Sequence, residues 1–503
     1  MRNLLIAVAM LLPTLAVAQE DTRPPLTVGV NAVRSNFDPA LALGNVDFPM
    51  TYNMFDTLVA RDFSKSKDRT AYELVPGLAK SWKRIDDRTM EFYLRPGVHF
   101  HNGQALTSAD VKFTFDRILG PASDYVEAKN LLKVIERVDA VDDLTVRITT
   151  KQPSPVLLHL LAYHSSDIVP KAYFESVGKS GFGQKPVGTG PFGFIKLQPD
   201  ESMHLKANDA HFGGRPTVST LTFKAIPEVS ARITALANDE VDIINSLQPD
   251  QVEAVKNLGC CDVRSALMNH HFLIYNTFNP VMADKKLRQA LNLAIDRQLL
   301  VDSLWGGKAT LPHSAQYEAW GPELYNPNRP TPTFDPERAR QLLAESSYKG
   351  QPIYYLTHPV YYTNGVAVAE AVVQMWKAIG VNASVRVDEG WSKLKKDDPV
   401  LTVRNSSDWV VPTDPAVTLY MTWAKRFWKD EQRFDELAKE GETRLDSKRR
   451  YDIYQKMIDI FEDEAPGTYL YRAPEFYGVR TNIQWLPNTD YTMDFRPDNI
   501  HFK

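Results

Sequence analysis

Segments in which apolar residues alternate with polar ones keep giving way along this chain to segments with a helical apolar spacing. That rhythm restricts it to architectures that pack helices against sheets. Leu26-Thr27-Val28-Gly29-Val30 alternates as a strand after the stiff Pro24-Pro25 pair. Leu221, Phe223 and Ala225 alternate again, Glu228 to Asn238 reads as a helix, and Val241 to Ile244 reads as the next strand. This βαβ order favours a parallel pair with a right-handed crossover. In the second half Asp284 caps a helix bearing Leu287, Leu291, Ala294 and Ile295. Asp335-Pro336 supplies an N-cap and a first-turn proline for another. Val366, Ala369, Val373 and Trp376 line one helix face as far as Gly380, and Val381, Ala383, Val385 and Val387 then alternate as a strand. Tyr451, Tyr454, Ile458 and Phe461 mark a last helix before Pro466.

A different pattern interrupts the first half. Met90, Phe92 and Leu94, and later Leu144, Val146 and Ile148, each follow an Asp-Asp turn and read as neighbouring strands of one half-buried sheet. Between them Thr107-Ser108-Ala109-Asp110 is a capping box opening a helix, with Val111, Phe115, Ile118 and Leu119 on the face that covers the sheet. The 503 residues amount to about three units of ordinary domain size. Lys+Arg 58 against Asp+Glu 62 leaves a net charge of −4, which excludes the strongly basic footprint of a nucleic-acid binder.

The first eighteen residues carry Arg2, an apolar run from Leu4 to Val17, and the small-x-small end Ala16-Val17-Ala18. These are the three regions of a secretory signal peptide, cleaved after Ala18. A membrane span needs about 20 apolar residues, and Pro13 interrupts a shorter run here. No Cys follows it to accept a lipid, so a soluble mature protein is expected in the periplasm or outside the cell. The two cysteines, Cys260 and Cys261, are adjacent. They are either a vicinal disulfide or two thiols beside a turn, and without Cys-x-x-Cys spacing they do not suggest zinc.

Motifs that spacing alone can identify are missing: Gly-x-Ser-x-Gly, His-Glu-x-x-His, the Walker lysine loop and Gly-x-Gly-x-x-Gly. Gly188-Thr189-Gly190-Pro191-Phe192 lacks the lysine of a phosphate cradle and reads as a tight structural turn. His99 and His101 could share one strand face as metal ligands, but no third ligand lies nearby. His270 and His271 would point to opposite sheet faces. No metal and no cofactor are expected. Arg404 to Pro415 is dense in hydrogen-bonding side chains around Trp409, the composition of a ligand-pocket lining and equally of a polar surface loop.

Several segments, taken in order, resemble one family. Leu78-Ala79-Lys80-Ser81-Trp82, Asp87 and the stretch from Met90 to Val111 are the most specific. Phe37-Asp38-Pro39, Gly188 to Phe192, Leu287-Arg288-Gln289-Ala290-Leu291, Ala294-Ile295-Asp296-Arg297 and Asp335-Pro336-Glu337 accompany them. Together they are similar to the extracellular solute-binding proteins of family 5, the peptide, nickel and opine receptors of ABC importers. The resemblance implies an α/β, two-lobed periplasmic binding protein fold with a hinge and an extra inserted domain. Lobe one would combine residues 19–50, 184–264 and 474–503, the insert would be 51–183, and lobe two 265–473. It also implies a structural role for His101 in its Phe-His-Asn-Gly turn.

The resemblance further implies a periplasmic receptor, not an enzyme, that captures a small organic solute and delivers it to an inner-membrane ABC permease. The solute would be a peptide or peptide-like compound, an opine or a sugar conjugate. No nucleic acid, no cofactor and a monomeric state go with this reading. The expected ligand-binding residues are Arg404, Asn405, Ser407, Asp408, Trp409, Asp414, His271 and Asn45. Peptide receptors of the family carry an Asp three residues after the Trp, and Pro412 stands there in this chain. Asp408 or Asp414 would then hold an ammonium group and Arg404 a carboxylate or phosphate. The alternative is a secreted hydrolase using Asp408 and Asp414 as paired carboxylates.

Overall fold

The computed structural model describes residues 21–42, 44, 46–66, 69–321, 323–359, 362–390, 394–407, 427–429 and 432–503. Ten strands make its largest sheet: β1 (Leu26–Val30), β2 (Phe192–Gln198), β3 (Ser202–Ala207), β4 (Thr220–Ala225), β5 (Ile243–Leu247), β6 (Cys261–Tyr275), β7 (Ile353–Thr357), β8 (Ala383–Val387), β9 (Val403–Ser407) and β10 (Gly467–Arg480). Their spatial order is β8-β7-β9-β6-β10-β5-β1-β4-β3-β2.

The long strands β6 and β10 run antiparallel through the middle of this order, from Cys261 opposite Arg480 to Ile274 opposite Gly467. Their register slips between the Leu267–Pro474 and His270–Arg472 pairs and again between the His271–Tyr471 and Phe272–Tyr469 pairs, and the first slip parts the ladder into two halves. In one half β10 carries β5, with Ile243 opposite Val479 and Leu247 opposite Phe476. In the other, β6 carries β9, with Tyr275 opposite Val403 and His271 opposite Ser407. Both β5 and β9 therefore end toward the slip. β1 and β4 run parallel to β5, and β7 and β8 run parallel to β9. The carboxyl ends of two parallel groups thus converge from opposite sides on one break in the shared ladder.

The βαβ unit read between Leu221 and Ile244 is parallel, but its strands are not neighbours. β1 lies between β4 and β5 and pairs with each, so the Val229–Ala237 helix crosses over it. Leu26, Val28 and Val30 of β1 are buried on one face of the sheet, and on the other a Cβ at Gly29 would lie 3.2 Å from Ile244, so the strand is covered on both sides as a central parallel strand is. Helix and strand patterns in the second half correspond to helices Lys285–Leu293, Pro336–Glu345, Gly365–Ala378 and Ser447–Glu464 and to β8.

The antiparallel pattern of the first half forms a separate four-stranded sheet. Its order is Ala79–Arg84, Thr89–Leu94, Thr145–Thr150 and Ile135–Asp142. The Ser108–Leu119 helix buries Val111, Phe115 and Ile118 against it, and the Asp110 carboxylate accepts the Thr107 N–H at 2.9 Å. Apolar residues between Ala40 and Ile168 form a cluster of their own.

Two of the contacts that tie this unit to the rest of the chain involve residues read from the sequence. Asp38 accepts hydrogen bonds from both Arg117 terminal nitrogens, at 2.8 and 3.0 Å, and from the Tyr125 hydroxyl at 2.8 Å. His101 receives the Gly188 N–H on Nδ1 at 3.2 Å and places Nε2 2.9 Å from the Gly190 carbonyl oxygen, which fixes the neutral Nε2–H tautomer. Both ring nitrogens are therefore occupied in holding a turn. A Cβ at Gly188 would overlap the Met54 carbonyl oxygen, so this glycine-rich segment is a close backbone crossing. Cys260 and Cys261 are joined as a vicinal disulfide at the start of β6. No helix among the described residues is long and apolar enough to cross a membrane.

Asp38 and Arg117 are both buried, with side chains 0% and 6% exposed. Asp38→Ala would leave the guanidinium without its counterion, and the expected loss is about 3–5 kcal/mol in chemical denaturation. A loss below about 1 kcal/mol would mean that this pair does not hold the two units together.

Candidate functional site

The slip in the β6–β10 ladder is where strand ends from both halves meet, and ligands of open α/β sheets bind outside the carboxyl ends of parallel strands. On the β9 side, cross-strand pairing decides which expected residues share a face. His271 stands opposite Ser407 and Leu273 opposite Asn405, so His271, Asn405 and Ser407 lie on one face of the sheet. Arg404, opposite Ile274, lies on the other, with its guanidinium carbon 5.4 Å from the Phe427 ring centroid. The structure therefore assembles three of the expected residues and separates the fourth from them. Asp408, Trp409, Asp414 and Asn45 lie outside the described residues.

Around His271 the side chains are aromatic. Its ring stacks on Tyr471 at 5.2 Å, meets Tyr362 edge-on at 5.2 Å and lies 6.5 Å from Trp305. Burial holds its pKa down at about 4, so the imidazole is neutral near pH 7. His270 points to the opposite face, against Tyr317 and Tyr469, as adjacent residues of a strand must. The Ser407 N–H donates to the Tyr362 hydroxyl at 3.2 Å. Asn405 is 4% exposed, and its Oδ1 has no hydrogen-bond donor among the described residues; the same holds for the buried Thr357 Oγ1 as donor or acceptor. Both side chains abut Gly365, the first residue of the Gly365–Ala378 helix, whose hypothetical Cβ would lie 3.4 Å from Thr357 Oγ1 and 3.6 Å from Asn405 Nδ2. Neutral polar groups and aromatic walls make this end suited to an organic solute and poorly suited to a hard cation.

On the β5 side the functional residues are ones that sequence reasoning missed. Ser246 has φ 54°, a left-handed backbone unusual for a residue other than glycine, and its hydroxyl donates to Glu475 Oε1 at 2.8 Å. Asn245 is 6% exposed, with Oδ1 unpartnered among the described residues. At the slip itself Arg472 donates to the Met268 carbonyl oxygen at 2.8 Å, to Glu318 Oε2 at 2.7 Å and to Thr489 Oγ1 at 2.5 Å. One signal for two of these was present: Arg472 and Glu475 are the ionic residues inside the otherwise apolar run from Tyr469 to Val479.

A polar cavity of about 330 Å³ lies elsewhere, beside Asp56, Arg61 and Arg496. Several of its charges pair with one another or with neighbours: Arg496 with Asp56 at 3.1 Å, His211 with Asp56 at 3.3 Å and Arg61 with Asp490 at 2.8 Å. Asp167, on the same wall, forms no ion pair among the described residues, and burial holds its carboxyl well up. No group of three or more His, Cys, Asp or Glu among the described residues converges on a metal position.

The family model of bacterial extracellular solute-binding proteins, family 5 (middle region), matches residues 73–429. The dipeptide-binding protein of Escherichia coli K12 is 28% identical over 448 residues, covering 82% of this chain and 83% of that protein. Di/tripeptide-binding protein 1 of Pseudomonas aeruginosa UCBPP-PA14 is 26% identical over 488 residues, 89% of each. Among solved structures, the ABC transporter substrate-binding protein CtaP from Listeria monocytogenes superposes with a TM-score of 0.85. It is 22% identical, over 95% of this chain and 99% of that one. The fold is that of a two-lobed periplasmic binding protein. The paired-carboxylate hydrolase finds no support among these proteins.

His271 yields a measurable consequence. Its folded pKa lies below the unfolded value of about 6.5, so the unfolded chain binds the proton first. The contribution is whole above pH about 6.5 and is lost as pH falls toward about 4. His159, also held down at about 4 by burial, acts in the same direction. Unfolding free energy should fall across that window by about 3 kcal/mol per histidine. In His271→Gln the slope between pH 6.5 and 4 should be smaller by about one proton; an unchanged slope contradicts the neutral, buried assignment.

Proposed function

Because the chain belongs to the bacterial extracellular solute-binding proteins of family 5, we propose that it captures a peptide or peptide-like solute in the periplasm and hands it to an inner-membrane ABC permease. The observation that carries this reading is the convergence of parallel strand ends on the slip shared by β6 and β10. A solute lying across that point touches both halves of the sheet at once. It then binds the closed arrangement better than the open one, and closure follows as a shift of population. A micromolar affinity supplies about 8 kcal/mol, enough to bias a hinge balanced within a few kcal/mol.

In this proposal His271, Asn405 and Ser407 form the described part of the site, and Asp408, Trp409, Asp414 and Asn45 complete it. Arg404, on the opposite face of β9, is the remaining residue of the proposed set. The lobes are residues 19–50, 184–264 and 474–503 on one side and 265–473 on the other, with 51–183 inserted. The slip at Leu267–His270 and the separate apolar cluster of Ala40 to Ile168 support that division. The receptor works as a monomer and releases its solute chemically unchanged, without cofactor or metal. Opines and sugar conjugates remain within the same solute class.

Titration with alanyl-alanine tests this. Binding at one site per chain is expected, and at 100 times Kd it should raise the unfolding free energy by about 2.7 kcal/mol. Arg404→Ala and Asp408→Ala should each weaken binding, by at least about tenfold for Asp408→Ala through loss of a charge-assisted hydrogen bond. Unchanged affinity in both variants would remove the 404–414 segment as the anchor.

A further inference from the structure

The half-buried carboxylate of Glu475 is offered a single side-chain donor among the described residues, the Ser246 hydroxyl at 2.8 Å. It forms no ion pair there. The cation that bears on it, Arg232, spends its N–H groups on the carbonyl oxygens of Ile226, Pro227, Asn245 and Ser246, at 2.7–3.3 Å. A carboxylate removed from water without a counterion is unfavourable unless something else supplies the charge.

Three independent features place this group at the meeting point of the strand ends. Glu475 stands opposite Ala266 in the β6–β10 ladder, one pair from the slip. Its donor, Ser246, is held in left-handed backbone at the end of β5. The neighbouring Asn245 buries an amide oxygen that no described residue satisfies. A carboxylate whose donors come from Ser246 alone, beside an amide oxygen that has none among the described residues, leaves acceptor capacity for a donor-rich cation where the two parallel groups converge.

We propose that Glu475, together with the Asn245 amide oxygen, binds an ammonium or guanidinium group of the solute. The assignment rests on the solute-receptor reading above and gives it a charge preference. Burial holds the Glu475 carboxyl up at about 6, against the pull of Arg232 from the Val229–Ala237 helix and of Ser246, with Tyr477 two residues along the same strand. A bound cation lowers it, so binding near pH 6 releases protons from this carboxyl, and calorimetry in buffers of different ionisation enthalpy would register them.

Four probes separate the possible sources of the cation: Ala-Arg against Ala-citrulline for a side-chain guanidinium, and Ala-Ala against N-acetyl-Ala-Ala for the α-ammonium. In wild type one of these pairs should differ by at least about tenfold in favour of the charged member, and Glu475→Gln should erase that difference while leaving the neutral member unchanged. The variant should melt at or above the wild-type temperature at pH 7, because it removes a charge that burial disfavours. If neither pair differs in wild type, or the difference survives in Glu475→Gln, the inference fails while peptide binding still upholds the receptor. A variant that melts lower and loses all four probes places Glu475 in the hinge and also overturns it. If no probe binds wild type, the peptide reading fails and this inference falls with it.

Discussion

The pairing of β6 with β10 is the constraint on which the rest of the large sheet depends. These two strands belong to both halves of it, so each half is positioned by hydrogen bonds to the same pair of chains. A continuous ladder would make one rigid sheet. The register slip between Leu267 and His270 divides the ladder without cutting it, and bulges of this kind bend strands and redirect side chains. Arg472 fills the break, linking Met268, Glu318 and Thr489. Its guanidinium thereby joins β6, Glu318 and the segment after β10 at one point.

Chemical character follows from topology. The β9 end offers neutral and aromatic groups, because His271 lies among Tyr471, Tyr362 and Trp305 and burial denies it a proton. The β5 end offers acceptors, Glu475 and Asn245, backed by Ser246. On the proposed reading the two ends would orient an asymmetric solute, aromatic walls supplying contact area and the few polar groups deciding which end goes where. Residues 73–429, matched by the family model, include β9 with His271 and Ser407, whereas Glu475 lies beyond them.

Much of the fold was legible because local patterns agree with burial. The capping box at Thr107 and the Asp335-Pro336 start each mark a helix that forms, and the Val366-to-Trp376 stripe names buried Ala369, Val373 and Trp376 while passing over buried Val368 and Val372. The position of β1 was not legible: a five-residue apolar strand reads alike at the edge or in the centre, and only long-range pairing puts it between β4 and β5. The candidate site's face relations follow from strand alternation on one side. Alternation along β6 and β9 separates His270 from His271, and it also separates Arg404 from Asn405, which a list of polar residues in one loop concealed. The β5 side was hidden, since Ser246 is conspicuous through a backbone angle that residue type does not encode, and Glu475 becomes informative once its strand is known to cross the slip.

The most direct measurement is native mass spectrometry of the protein purified gently from the cells that make it, followed by denaturation and identification of what is released. The account predicts one small organic solute per chain, recovered unchanged after prolonged incubation with the protein. Chemical conversion of that solute, or a chain that stays empty when offered peptide, opine and sugar extracts, would contradict it.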